Sequence, residues 1–222
     1  MDGVFVIGTD TGVGKSIVCA GLLKLVVGTK EIVYWKPIQT GTIVGDDTKA
    51  VKSLTDLADG YFLAPNYRFP EPLSPHMAAS KWGKRIELDS LEATYRAARE
   101  QKKFVLVEGA GGILVPFNDQ TLQIDFIKRL KLPLIIVSQD RVGAINQCLL
   151  TLNAARAEKI EVLGIILTRS RQTLGNAEAI KQFGKVEILA ELDPTEDSRT
   201  VVAQVGANSR LRELFAVSAL PK

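Results

Sequence analysis

The chain has little cysteine and almost no histidine, two of the first and one of the second in 222 residues. Cys19 and Cys148 each fall inside a segment of helical period, and no Cys/His cluster has the spacing of a zinc site, so neither a disulfide scaffold nor a zinc centre organises the fold. Long apolar runs are also missing. The stretch around Leu134 to Val137 falls far short of the roughly 20 residues that span a bilayer, which argues against an integral membrane protein. Charge of one sign is absent too: 28 Lys and Arg against 25 Asp and Glu leave a formal charge of +3. No basic run offers a nucleic-acid surface. Met1 to Asp10 begins with an acid and lacks a basic n-region, and its apolar Val4 to Ile7 is too short for a signal sequence, so a cytoplasmic location is expected.

What is present is a large core-forming fraction, 46% hydrophobic with 24% charged. Short Val- and Ile-rich runs alternate with longer segments of helical period, the sequence form of a doubly wound, mainly parallel sheet with helices on both faces. Strands are predicted at Val4 to Ile7, Ile32 to Trp35, Phe104 to Val107, Leu134 to Val137, Leu163 to Leu167 and Val186 to Leu189. Helices are predicted at Lys15 to Val27, Asp47 to Leu54, Leu88 to Gln101, Gln123 to Leu130, Ile145 to Glu158, Asn176 to Phe183 and Ser209 to Phe215. Without repeats or a composition break, residues 1–222 read as one α/β domain. Tyr61 to Pro75, with Pro65, Pro70, Pro72 and Pro75, reads as an irregular loop over a site.

Three segments carry chemistry. The first strand runs into Gly8-Thr9-Asp10-Thr11-Gly12-Val13-Gly14-Lys15-Ser16 and then a helix, the setting of a phosphate-binding loop. Backbone N–H groups and the helix amino terminus attract phosphate, Lys15 reaches the β/γ-phosphates and Ser16 can ligate magnesium. Phe104-Val105-Leu106-Val107-Glu108 ends in a carboxylate followed by Gly109-Ala110-Gly111-Gly112. A strand-terminal acid beside a phosphate loop can hold Mg2+, and the glycines let backbone approach a ligand. Lys36-Pro37-Ile38-Gln39-Thr40-Gly41 ends the second strand at the same sheet edge. A second ammonium there would stabilise charge developing in phosphoryl transfer. Of Asp46 and Asp47, one caps the next helix and the other completes the magnesium shell.

These motifs, with Glu71-Pro72-x-Ser74-Pro75-His76 between them, resemble the dethiobiotin synthetase family in order and spacing from the amino terminus to about Asn146. The resemblance implies a P-loop NTPase-like enzyme that closes a cyclic urea from 7,8-diaminononanoate, CO2 and ATP, with Mg2+. It implies that Gly12, Val13, Gly14, Lys15 and Ser16 hold ATP phosphates beside Gly111, with Thr11, Lys15 and Lys36 as the catalytic set. Ser16, Asp47 and Glu108 would surround the metal, and Lys36 and Thr40 would contact the substrate carbamate. It further implies a homodimer in which Gly143, Ala144, Ile145 and Asn146 receive the substrate carboxylate from the neighbouring subunit, a helix start suited to an anion. Neither nucleic acid nor membrane is expected as a partner.

Two departures stand out. Where many family members read adenine with asparagine at the end of the fifth strand, this chain has Thr168, and where they carry Gly-Glu-Ile-Pro it has Ala190-Glu191-Leu192-Asp193-Pro194. Weak discrimination among nucleoside triphosphates is therefore expected. His76 reads as a loop residue rather than an acid or base. Substitution of Lys15 or Lys36 by Ala is expected to abolish ring closure with the fold intact. The rival class is a phosphate-loop switch ATPase of the partition or septum-positioning type, but those carry a lysine five residues before the loop lysine, where this chain has Asp10.

Overall fold

The alternating apolar and helical segments assemble into one parallel sheet wrapped by helices. The computed structural model describes residues 1–101, 103–169, 174–193 and 195–216. Its first half runs β1 (Gly3–Gly8), α1 (Lys15–Val26), β2 (Ile32–Trp35), β3 (Ile38–Gln39), α2 (Asp47–Thr55), a 3-10 turn (Asp59–Tyr61), β4 (Phe62–Leu63), β5 (Tyr67–Arg68), α3 (Pro75–Lys81) and α4 (Leu88–Glu100). Then follow β6 (Phe104–Glu108), α5 (Gln123–Leu130), β7 (Leu134–Asp140), α6 (Ala144–Ala157), β8 (Val162–Arg169), α7 (Asn176–Gly184), β9 (Ile188–Leu192), α8 (Ser198–Ala207) and α9 (Ser209–Leu214). The main sheet has the order β4-β2-β6-β1-β7-β8-β9, and its paired strands are parallel. β3 and β5 make a separate parallel pair.

Period two divides the strands between two apolar layers. Phe5, Ile7, Val33, Trp35, Val105 and Val107 face one side, where Leu91, Phe126, Ile127 and Leu152 cover them. Val4, Val6, Ile32, Tyr34, Phe104 and Leu106 face the other, under α1, α8 and α9. Burial on both faces is why these strands read as unbroken apolar runs. α1 is enclosed almost all round, and its Gly21 is where α8 crosses: a Cβ there would lie 2.4 Å from Val205 Cβ.

The structure corrects five element assignments. The predicted loop from Tyr61 to Pro75 contains β4 and β5, and Pro75 opens α3. Two-residue strands are too short to show a period, and proline suits the first helical position because it has no N–H to leave unpaired. β9 begins and ends later than the apolar run Val186 to Leu189 suggested, running from Ile188 to Leu192, with a register change against β8 between Ile165 and Ile166. β7 and β8 continue past their apolar stretches through Ser138, Gln139 and Asp140 and through Thr168 and Arg169, since ladder bonds do not require apolar side chains. α8 was absent from the sequence reading. Only Val202 and Val205 of it are buried, too few for a helical stripe, and Asp197 starts it by accepting from the N–H groups of Arg199 and Thr200.

Candidate active site

β1, β2 and β6 lie side by side and end at one edge, so the segments that follow them must meet there. Tyr34 pairs in register with Leu106, and two residues further along each strand direction Lys36 and Glu108 share the face covered by α1. Four charged or polar side chains converge as a result. Lys36 Nζ lies 2.8 Å from Glu108 Oε1 and 2.7 Å from Asp47 Oδ2. Ser16, one residue into α1, donates to Glu108 Oε1 at 2.9 Å. The Lys36 and Glu108 side chains are only 5% and 1% exposed, so this is a buried charge cluster with one carboxylate, that of Asp47, open to solvent at 37%.

Asp46 and Asp47 divide the two roles the sequence left open between them. Asp46 caps α2 by accepting from the Lys49 N–H, and Asp47 turns inward to Lys36. Gln39 sets this entry: its Oε1 accepts from the Asp47 N–H at 3.0 Å, and its Nε2 donates to the Thr40 carbonyl. The phosphate loop reaches the cluster from β1. Gly14 caps α1 with φ 93°, the left-handed region open to glycine, and a Cβ there would press on Thr168. Lys15 folds back to donate to the Asp10 carbonyl at 3.1 Å.

These residues floor a cavity of about 580 Å³. Thr11, Gly12, Gly14, Lys15 and Ser16 line it together with Lys36, Thr40, Asp47, Glu108 and Gly111. Pro72, Leu73, Ser74 and Pro75 close it from the proline-rich segment, so that segment does lie over the site. The electrostatics follow the burial. Lys15 is held below the ordinary lysine range by desolvation and then by the like charge of Lys36. Burial pulls Lys36 in the same direction, but Glu108 and Asp47 outweigh it and hold the ammonium well above its usual range. Asp47 is also partly desolvated, yet Lys36 keeps its carboxyl below the usual carboxylate range.

Not every predicted residue comes to this cavity. Gly143, Ala144, Ile145 and Asn146 cap and open α6 outside the lining, with Gly143 and Asn146 exposed. Val13 and Thr168 also lie behind it: the Thr168 hydroxyl donates to the Val13 carbonyl at 2.9 Å, bracing the loop from below. Pro194 of the second departure lies outside the described residues. His76, expected in a loop, lies in the first turn of α3, since Pro75 opens that helix: its Nδ1 pairs with Ser74 Oγ at 3.1 Å and its backbone N–H donates to the Pro116 carbonyl. Lys36→Ala is expected to lower stability as well as activity, because Lys36 is the buried counter-ion of Glu108.

Beside Gln39, two further residues of the site carry no signal in the sequence. Gln123 is fully buried at the start of α5, where its amide accepts from the Ala110 N–H and donates to the Gly112 carbonyl, each at 2.8 Å. It pins the glycine turn against the phosphate loop, where the Gly8 N–H donates to the Gly111 carbonyl. Tyr34 donates to Glu108 Oε2 from inside β2. Neither had a signal: a glutamine ten or more residues from a motif, and a tyrosine in a strand, both read as ordinary positions.

A central parallel strand, a glycine loop, a buried lysine and a strand-terminal acid on the neighbouring strand define a P-loop nucleotide-binding protein. An AAA domain family matches residues 2–201. The ATP-dependent dethiobiotin synthetase BioD of Paramagnetospirillum magneticum is 41% identical over 194 residues, covering 87% of this chain and 89% of that protein. The same-named protein of Lawsonia intracellularis is 38% identical over 214 residues, 96% of this chain and 98% of its own length. The chain belongs to the dethiobiotin synthetase family. Solved structures with the same fold include the MinD cell division protein of Aquifex aeolicus, at TM-score 0.64 and 14% identity over 100% of each chain. A ParA family ATPase from Chlorobium tepidum superposes at TM-score 0.59 and 16% identity over 96% of each chain. At such identity these two share the architecture, and the sequence relatives separate this chain from the switch ATPases.

Proposed function

We propose that the protein is an ATP-dependent cyclo-ligase that makes dethiobiotin from 7,8-diaminononanoate and CO2, releasing ADP and phosphate. The observation that carries this reading is the convergence of Lys15, Lys36, Asp47 and Glu108 on one cavity, with both lysines facing it. Carbamate formation needs a neutral amine, and two neighbouring ammonium groups disfavour a third positive charge. The same lysines stabilise the carbamate anion once it forms. Lys15 and the loop from Thr11 to Ser16 hold the nucleotide phosphates, while Lys36 and Thr40 hold the carbamate. Its oxygen attacks the γ-phosphorus in line to give a mixed carbamic-phosphoric anhydride, and the second amine closes the ring by displacing phosphate. No side-chain nucleophile is needed, since positioning and electrostatics carry such a reaction.

Magnesium fits the donors present. Ser16, Asp47 and Glu108 offer a hydroxyl and two carboxylates, the carboxylates already holding one cation, the Lys36 ammonium, and oxygen-only sets of this kind suit Mg2+. When bound with ATP, the metal would neutralise phosphate charge and orient the γ-phosphate. We further read the protein as a cytoplasmic homodimer; the exposure of Gly143 and Asn146 at the start of α6 is consistent with each site being completed by the other subunit's helix amino terminus. The deciding assay measures ATP hydrolysis with diaminononanoate and bicarbonate, and separately with DNA or vesicles. Turnover that requires the diamine and bicarbonate and yields dethiobiotin supports the reading; stimulation by DNA or membrane alone would overturn it in favour of a switch ATPase.

A further inference from the structure

Glu108 is held at both ends of its carboxylate, and the two ends face different surroundings. Ser16 and Lys36 donate to Oε1 at 2.9 and 2.8 Å, on the cavity side. The Tyr34 hydroxyl donates to Oε2 at 2.9 Å from the sheet side, outside the cavity lining. A carboxylate turns easily about its last bond. Donors on Oε1 alone leave that rotation open, whereas a third donor on Oε2 closes it. Tyr34 is itself fixed: it is fully buried in β2, and its ring meets Phe62 edge to face at 6.0 Å.

We propose that Tyr34 is a positioning residue that locks the Glu108 carboxylate so that Oε1 stays directed at the metal and phosphate side of the cavity. This rests on the reading of Glu108 as a metal ligand. Groups that orient a metal-binding carboxylate are worth about 10-fold to 100-fold in metal affinity or activity. A tyrosine that served only to fill the layer beneath α1 would affect stability and leave metal affinity alone.

The test titrates Mn2+ into the protein with saturating ADP, following free Mn2+ by its paramagnetic resonance and correcting for Mn2+ bound by ADP alone. Wild type, Glu108→Gln and Tyr34→Phe are compared, with thermal unfolding recorded for each. Tyr34→Phe is expected to weaken Mn2+ binding about 10-fold, and Glu108→Gln to weaken it at least as much. If Glu108→Gln loses affinity while Tyr34→Phe stays within about twofold of wild type, the positioning role is overturned and the metal reading stands. If Glu108→Gln also binds Mn2+ like wild type, the metal reading falls and the proposal with it. Should the phenylalanine variant fail to fold, Tyr34→Met removes the same donor and is read by the same criterion.

Discussion

The two ends of the sheet's carboxyl edge are built differently. Beyond β1, β2 and β6 the chain buries a lysine against two carboxylates, each held within 2.8 Å, and surrounds one of them with a serine and a tyrosine. Near the end of β8 Thr168 meets the phosphate loop, its hydroxyl donating to the Val13 carbonyl. Charges taken out of water must find partners of defined geometry, so the first region is specified residue by residue. In the second, the Thr168 hydroxyl is used within the fold, on the Val13 carbonyl.

The largest expected break in this contrast is Lys36→Ala, which should lower turnover at saturating substrate by about 100-fold or more, as loss of a transition-state charge contact does. Near wild-type turnover would remove Lys36 from the catalytic set. The variant also leaves Glu108 buried without its counter-ion, at a stability cost of about 3–5 kcal/mol, so kinetics belong well below its lowered melting temperature. Next is recovery from near inactivity. Lys36→Ala and Asn146→Asp homodimers should each be nearly dead, yet equal mixing with subunit exchange should restore about a quarter of wild-type activity, because half the dimers are mixed and half their sites intact. Exchange shown by mass spectrometry without returning activity would place both halves of the site in one chain or remove Asn146 from it.

A smaller effect follows from Lys15, whose ammonium is destabilised by burial and by Lys36. The protonated form binds phosphate, and bound phosphate favours that form, so nucleotide binding takes up a proton as pH rises through the lowered Lys15 pKa. ADP affinity should be full below the Lys15 pKa of the free protein and fall as pH rises through it, by up to about tenfold per pH unit. Calorimetry in buffers of different ionisation heat, across about pH 7 to 10, reads both the affinity and the proton uptake. A flat profile, or a proton released on binding, contradicts the assignment. The smallest effect is at the other end of the edge, where kcat/KM for ATP, GTP and CTP should agree within about tenfold, against the roughly ten-thousandfold that a hydrogen-bonded base site reaches. Strict ATP preference would mean that other groups read the base and that the two regions are more alike than Thr168 suggests.

Much of this site was legible in the chain because its parts are local. A strand, a glycine loop and a helix in succession form the phosphate loop wherever they sit, and Lys36 and Glu108 announced themselves by ending apolar runs. Gln39, Gln123 and Tyr34 did not, since each acts on a backbone group or carboxylate supplied by another segment. The contact of Thr168 was not legible either. Its position at a strand end was visible, but its hydroxyl's partner lies 155 residues away.

The sequence by itself determined the parallel α/β class, the phosphate loop and which charged residues stand at strand ends, because period two, apolar runs and glycine spacing are properties of short segments. Only the tertiary structure decided that β6 inserts between β1 and β2, and therefore that Lys36 reaches Glu108 and Asp47 instead of solvent. Strand order is set by packing across the whole sheet. A lysine's meaning here, surface charge or buried counter-ion, depends on which neighbour that packing brings within 3 Å.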